Sequence, residues 1–285
     1  MRSPFRRAAT LPLGIDLGLE RVAVVACETV AGELVVRDAH STEVPTGDPA
    51  TIDLTIAEAL RSIVSRVSVP ERRCVIAAPP ADVVSRVFRV PPGMRRPEAE
   101  RAATLEADSI VDWPSTERLV ALDPIPERTG EMLLSIARHS TIVRLVAIAR
   151  AAGCKAVAVD VAACAWRRAI RDADAVLDCT GDRASLVIFG EPIGMPHLFA
   201  PRLIDERLAT NIRAALVQAR RDGFADVQRL AILGTPYRYE SLEALLRDDG
   251  YAVTQVVLGE NVSPPWAFAY GLATWSVAER GLIAS

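Results

Sequence analysis

Two stretches of the chain carry the same alternation of apolar runs and acidic turns. Leu13-Gly14-Ile15-Asp16-Leu17-Gly18 runs into Val22-Ala23-Val24-Val25. Ala175-Val176-Leu177-Asp178-Cys179-Thr180-Gly181-Asp182 runs into Leu186-Val187-Ile188-Phe189. Each reads as an apolar strand, a tight acidic turn and a second apolar strand, which predicts a β-hairpin. After the first hairpin, segments 34–38 and 41–44 read as a third strand and 45–49 as a turn-rich break. Leu54, Ile56, Ala57, Leu60, Ile63, Val64 and Val67 recur at helical spacing and predict a helix over 53–67. A short buried strand over 74–78 is ended by Pro79-Pro80.

The pattern from 83 to 152 reads as an inserted module of order β-α-β-β-α. Segment 83–90 alternates as a strand. Segment 97–111 reads as a helix, with Pro97 in its first turn and Glu98 and Glu100 near its positive end. Strands over 119–125 and 131–137 form a hairpin through Glu127-Arg128-Thr129-Gly130. A helix over 140–152 should be capped at its start by Ser140-Thr141 and closed by Gly153. A strand over 157–161 and a helix over 162–171 lead into the second hairpin. Beyond it the pattern predicts a helix over 204–221, a strand over 227–233 ended by Gly234-Thr235-Pro236, and a helix over 239–247. A strand over 252–258 and a helix over 266–277 close the chain, with Trp266 and Trp275 on that last helix packing inside.

Composition narrows the function classes. A chain of 285 residues that is 50% hydrophobic can bury one large or two ordinary cores. Its net charge of −3 gives no support for bulk nucleic-acid binding. Lys155 is the only lysine, so none is available at a phosphate turn. Cys27, Cys74, Cys154, Cys164 and Cys179 form no CxxC pair and read as small buried hydrophobes in a reducing compartment. His40, His139 and His197 are scattered without ligand spacing, so no metal site is expected. Arg95-Arg96 and Arg220-Arg221 read as solvated faces. No apolar run has the length of a spanning helix, and the basic start lacks a signal-peptide core. The expectation is a cytoplasmic protein, peripheral to the inner membrane only through a partner and without direct membrane insertion.

Taken in order, these segments resemble the PilM family of type IV pilus assembly proteins, a branch of the actin-like superfamily close to the cell-division protein FtsA. Gly14-Ile15-Asp16-Leu17-Gly18 matches the opening strand and turn. Arg86-Val87-Phe88-Arg89-Val90-Pro91 matches the strand that opens the inserted subdomain. Leu105-Glu106-Ala107-Asp108 with Val111-Asp112-Trp113-Pro114, Asp123, Ala152-Gly153-Cys154 with Val159-Asp160, and Ala269-Tyr270-Gly271-Leu272-Ala273 follow in the family's order. The resemblance implies an α/β, actin-like (ribonuclease H-like) fold of two halves. Residues 11–82 and 153–173 would form the first half, 83–152 an inserted α+β subdomain and 174–285 the second half. Between Phe189 and Leu230 there is room for little more than one helix, so the second-half subdomain is expected to be truncated.

The resemblance places a nucleotide site at Asp16, Gly18, Arg21, Asp178, Thr180, Gly181, Gly234 and Thr235. Phosphate turns need backbone N–H groups aimed at the anion beside small or hydroxyl side chains. Here Leu19-Glu20-Arg21 follows the first turn, Thr180 takes the glycine position of the second, and Gly234 is followed by Thr235 and Pro236 instead of a second glycine. The expectation is therefore no required cofactor, weak or absent affinity for ATP with Mg²⁺, and no catalytic residue. Asp16 and Asp178 are read as remnants that hydrogen-bond their own turns rather than as ligands of a metal–water shell. The family's partner is the cytoplasmic tail of a PilN-like membrane protein, docked between the inserted subdomain and the first hairpin's domain. Leu119, Val120, Ala121, Leu122 and Ile125 are the candidate partner-binding residues, and other pilus platform proteins are further expected partners. Two alternatives remain: a GspL-like cytoplasmic component of type II secretion, and an actin-like superfamily small-molecule kinase. The kinase would need intact phosphate turns and a general base.

Overall fold

Each predicted apolar run becomes a strand or helix whose buried face follows the sequence period. The computed structural model describes residues 9–18, 20–31, 33–45, 48, 50–125, 129–170, 172–179, 184–190, 194–199, 205–221, 224, 226–233, 240–256 and 266–275. The chain begins with β1 (Ala9–Thr10), β2 (Leu13–Leu17), β3 (Arg21–Val30), β4 (Glu33–Glu43), α1 (Ile52–Val64) and β5 (Arg73–Ala78). Next come β6 (Val83–Arg89), α2 (Arg96–Ile110), β7 (Arg118–Pro124), β8 (Glu131–Arg138), α3 (His139–Ala151), β9 (Lys155–Val161) and α4 (Ala162–Ala169). The remainder is β10 (Ala175–Asp178), β11 (Ser185–Phe189), β12 (Gly194–Leu198), α5 (Asp205–Arg221), β13 (Arg229–Leu233), α6 (Glu240–Asp248), β14 (Ala252–Gln255) and α7 (Ala267–Ala273).

The strands form three sheets. In the first, the order is β1-β3-β2-β5-β9, with β4 on the outer side of β3. β2, β5 and β9 are parallel, while β2–β3–β4 is an antiparallel meander with a bulge opposite Ala26 and Cys27. The second sheet has the order β12-β11-β10-β13-β14 and repeats that plan: an antiparallel hairpin followed by parallel strands. One face of the first sheet is covered by Ile56, Leu60 and Ile63 of α1 and Ile142, Leu145 and Ile148 of α3. The second sheet is covered by Leu208, Ile212 and Leu216 of α5 and Leu242 and Leu246 of α6. Helices α4 and α7 supply Ala163, Trp166 and Ala267 to a core that they share with Val176, Val187 and Leu233 of the second sheet.

The third sheet, β6-β8-β7, stands apart from the other two. Among the described residues its strand β6 pairs with β8 alone. Phe88, Leu122, Leu134 and Ile136 pack there against Ala99, Ala103 and Ala107 of α2, whose small side chains let the helix lie close to the sheet. The backbone N–H of Arg95 donates to the Glu98 carboxylate at 2.9 Å, which holds the start of α2.

Several elements depart from the sequence reading. Helix α3, grouped there with the insertion, buries its apolar face in the core of the first sheet. Its position N-terminal to the helix is Arg138, not Ser140 or Thr141. The Thr141 hydroxyl instead donates to Asp82 at 3.0 Å. Local sequence favoured a hydroxyl cap, but the strand β8 runs straight into the helix and leaves no turn for one. Strand β12 was not foreseen, because Gly194 and Pro196 interrupt its period. It lies at a sheet edge, where a proline costs no ladder bond. Trp266 and Trp275 flank α7 rather than sitting on it, and Trp275 is buried. The end of α3 matches expectation: Gly153 has φ +84°, its N–H reaches Arg150 O at 3.0 Å, and Cys154 N–H reaches Ala149 O at 2.9 Å. Those two bonds satisfy carbonyls of the last turn.

Two glycines fix how the last helix seats. A Cβ on Gly14 would lie 1.8 Å from Ala269 O, and one on Gly271 would lie 2.0 Å from Ala165 O. Both obstacles are backbone, which cannot swing aside. Gly271→Ala should therefore destabilise the protein by about 1–3 kcal/mol or more. The reading is a lower denaturant midpoint at unchanged m-value, whereas Gly153→Ala, with open space around it, should lose only the cost of its positive φ.

Candidate functional site

The two aspartates of the hairpins end corresponding strands. Asp16 is the next-to-last residue of β2 and Asp178 the last of β10. Asp178 and Arg21, at the start of β3, both act on the charge of Asp16. Asp16, Arg21 and Asp178 are thus brought to one cleft between the first and second sheets. Burial dominates at Asp16 and pushes its carboxyl up to about 7; Arg21 pulls it down and Asp178 pushes it further up. Gly18 closes the turn, since a Cβ there would sit 2.5 Å from Arg21 O. On the other side, Cys179 N–H donates to Leu233 O at 2.8 Å, so the ends of β10 and β13 are tied together. Thr180, Gly181, Gly234 and Thr235 lie outside the described residues.

A second carboxylate in this region had been quoted only as part of a strand. Asp160 ends β9 buried, forms an ion pair with Arg168 of α4 and accepts the Val161 N–H at 2.8 Å. Arg168 also donates through Nε to Gly271 O at 2.9 Å. One guanidinium therefore joins β9, α4 and α7. Burial raises the Asp160 carboxyl and Arg168 opposes that rise. The available signal in the sequence was the spacing itself, an acid at a strand end and an arginine two helical turns on, which many surface pairs share.

The candidate partner strand is continuous, and its two faces are both occupied. Val120 and Leu122 face α2 in the core of the third sheet. Leu119 and Ala121 pack against the core of the first sheet. Ile125 follows the strand, with its N–H 3.5 Å from Glu131 O. Strand β7 pairs with β8 alone, so one row of its backbone groups faces outward. Arg96 of α2 reaches Leu122 O at 3.3 Å. At the other edge, β6 borders a cavity of about 510 Å³ lined by Val84, Asp108, Ile110, Asp112 and Trp113. Arg138 stacks 4.3 Å from the Trp113 ring centroid and pairs with Asp82 at 3.5 Å, which links this lobe to the start of α3. Sequence reading missed that link because its members, Asp82, Trp113 and Arg138, come from three separate segments.

Among the described residues no group of three or more His, Cys, Asp or Glu could hold a metal ion. No helix among them is long and apolar enough to cross a membrane. The five cysteines are not joined in disulfides, and Cys27, Cys74, Cys154 and Cys179 are buried.

The family model described as type IV pilus assembly protein PilM matches residues 14–194, and the chain belongs to that family. A solved PilM–PilN type IV pilus biogenesis complex contains a chain 20% identical, with TM-score 0.71, covering 92% of this chain and 97% of that one. The cytoplasmic domain of EpsL, an inner membrane component of the Vibrio cholerae type II secretion system, is 12% identical with TM-score 0.55, covering 93% and 95%. A Bacteroides thetaiotaomicron protein with an actin-like ATPase fold and unknown function is 12% identical with TM-score 0.51, covering 94% and 99%. No curated protein sequence matches. The fold is actin-like: two sheet-centred halves, each opened by a hairpin that ends in an aspartate.

The raised Asp16 carboxyl has a definite pH signature. Its folded value of about 7 exceeds its ordinary 3.8, so the folded state holds the proton more tightly. Stability from this group is complete below about pH 4 and is lost as pH rises to about 7. Asp16→Asn should match wild type near the acid end and become increasingly more stable than it toward pH 7. Melting temperatures across that interval check this; a constant difference would show that burial does not control the group.

Proposed function

We propose that this member of the PilM family is a cytoplasmic adaptor of a pilus assembly platform, and that it captures the cytoplasmic tail of a PilN-like membrane protein. One observation carries the reading. The third sheet stands out from the first and keeps β7 unpaired along one side, while the side chains of β7 are already engaged on both faces. An extended tail arrives unfolded and can add to such an edge by main-chain hydrogen bonds, with a few side-chain pockets giving selectivity. Leu119, Val120, Ala121, Leu122 and Ile125 then act chiefly by positioning that edge. The likeness to a PilM chain solved with PilN supports a partner of this kind. Other platform proteins would bind elsewhere on the surface.

The work of the cleft is structural rather than hydrolytic. A carboxyl that sits near neutrality binds a cation less strongly than an ionised one, and Glu20 adds a negative charge beside the first turn. ATP with Mg²⁺ should bind weakly or not at all, with Asp16, Gly18, Arg21, Asp178, Thr180, Gly181, Gly234 and Thr235 forming the site if any affinity remains. The EpsL likeness bears on fold alone, and the family match favours the pilus over the secretion system.

Two measurements test this. Val83 is paired with Ala137, so the ends of the lobe are adjacent and residues 83–138 can be replaced by a short glycine–serine link that keeps α3. The shortened protein should stay folded by circular dichroism and lose binding to a PilN-like tail peptide. Retained binding by a folded deletion rejects the docking site. Calorimetry with ATP and Mg²⁺ tests the cleft, where a dissociation constant below about 10 µM, worth roughly 7 kcal/mol, would overturn the structural reading.

A further inference from the structure

We propose that the end of the first sheet opposite the cleft is an electropositive surface that lies against an anionic lipid bilayer. The parallel strands β5 and β9 begin at this end, with Arg73 and Lys155 in register. Helices α1 and α3 end there too: α3 leads into β9 through residues 152–154 and α1 into β5 through residues 65–72. The contacts make the surface continuous. Arg61 donates to Ala151 O at 2.6 Å, which sets it beside Arg150. Lys155 N–H donates to Arg72 O at 2.8 Å, which joins the end of α3 to the start of β5. Ser68 reaches Asp38 of β4 through N–H and hydroxyl at 3.1 and 2.5 Å, which places Arg66 over the hairpin side of the same end.

Arg61, Arg66, Arg72, Arg73, Arg150 and Lys155 are therefore gathered at one end of a chain whose net charge is −3. Arg72 is half-buried and the other five are exposed. Glu71 is neutralised by Arg73 at 2.6 Å, while Asp38 accepts from the neutral Ser68 and keeps its negative charge at the margin of the group. Arg61 and Arg72 donate to carbonyls, which leaves their charge uncompensated. Favourable placement at helix C-termini accounts for Arg61 and Arg150. It does not account for Arg66, Arg72 or Lys155, which lie outside both helices.

The form of the surface selects the occupant. Its cations come from five separate segments and spread over an end of the domain instead of converging on one point, as a single-phosphate site requires. A spread of basic side chains matches the diffuse negative potential of a membrane, worth about 1 kcal/mol per Lys or Arg near the surface. The inference is independent of the tail-docking surface, which uses the third sheet.

The test is flotation with vesicles of phosphatidylcholine alone and of phosphatidylcholine with about one-third phosphatidylglycerol. The full chain should float with the anionic vesicles only, and high salt should release it. The triple variant Arg66→Glu, Arg150→Glu, Lys155→Glu alters exposed side chains. It should keep the wild-type melting temperature and tail-peptide affinity, and bind anionic vesicles roughly a hundredfold more weakly. Wild-type protein that ignores anionic vesicles, or a variant that binds them equally, overturns the proposal. So does wild-type binding to polyglutamate without binding to vesicles, which would assign the surface to an acidic protein. Should the variant melt early, the salt dependence of the wild-type chain decides alone, and salt-insensitive flotation overturns it.

Discussion

The close approach of three backbones at Gly14 and Gly271 is the constraint on which the two halves depend. Helix α7 lies against β2 because Gly14 has no side chain, and against α4 because Gly271 has none. α4 is the segment that carries the chain from the first sheet to the second. A single terminal helix thus packs on the first sheet and on the crossover together. Trp166 of α4 and Phe268 of α7, with ring centroids 5.0 Å apart, add a second contact between these two helices. Packed interiors have little tolerance for added volume, so this seat defines one arrangement of the halves rather than a range.

The buried charges sit along that seat. Arg168 of α4 pairs with Asp160 and also holds a carbonyl of α7, so a charge otherwise costly to bury has partners on two other elements. Burial raises both acids, Asp160 against the opposing pull of Arg168 and Asp16 against that of Arg21. Asp160 is absorbed into the framework by its ion pair and by the Val161 N–H.

The inserted lobe follows a different economy. Its sheet has three strands and one helix, and its core rests on Ala99, Ala103 and Ala107 against Phe88 and Leu134. Such a unit gains much of its rigidity from the first half, through Val83, Leu119 and Ala121 on one side and the Asp82–Arg138–Trp113 contacts on the other. Among the described residues neither of its edge strands has a strand on its outer side, although Arg96 already holds Leu122 O of β7; proteins usually cover or blunt such edges. Open edges on a firmly anchored lobe suit a surface built to receive a strand.

The sequence by itself determined the elements and their order, because hydrophobic period is a local property. The two hairpins, the helices over α1, α2 and α5 and the glycine end of α3 were all legible, as was the family, from the order of short motifs. The start of α3, strand β12 and the length of α7 were not, since a continuing strand, an edge position and a neighbouring helix decide them from outside. Tertiary structure alone placed α3 on the first sheet, joined Asp160 to Arg168 across a helix, and gathered six cations from five segments at one end. Those facts depend on which surfaces meet, and a one-dimensional pattern records only which residues would be content to be buried.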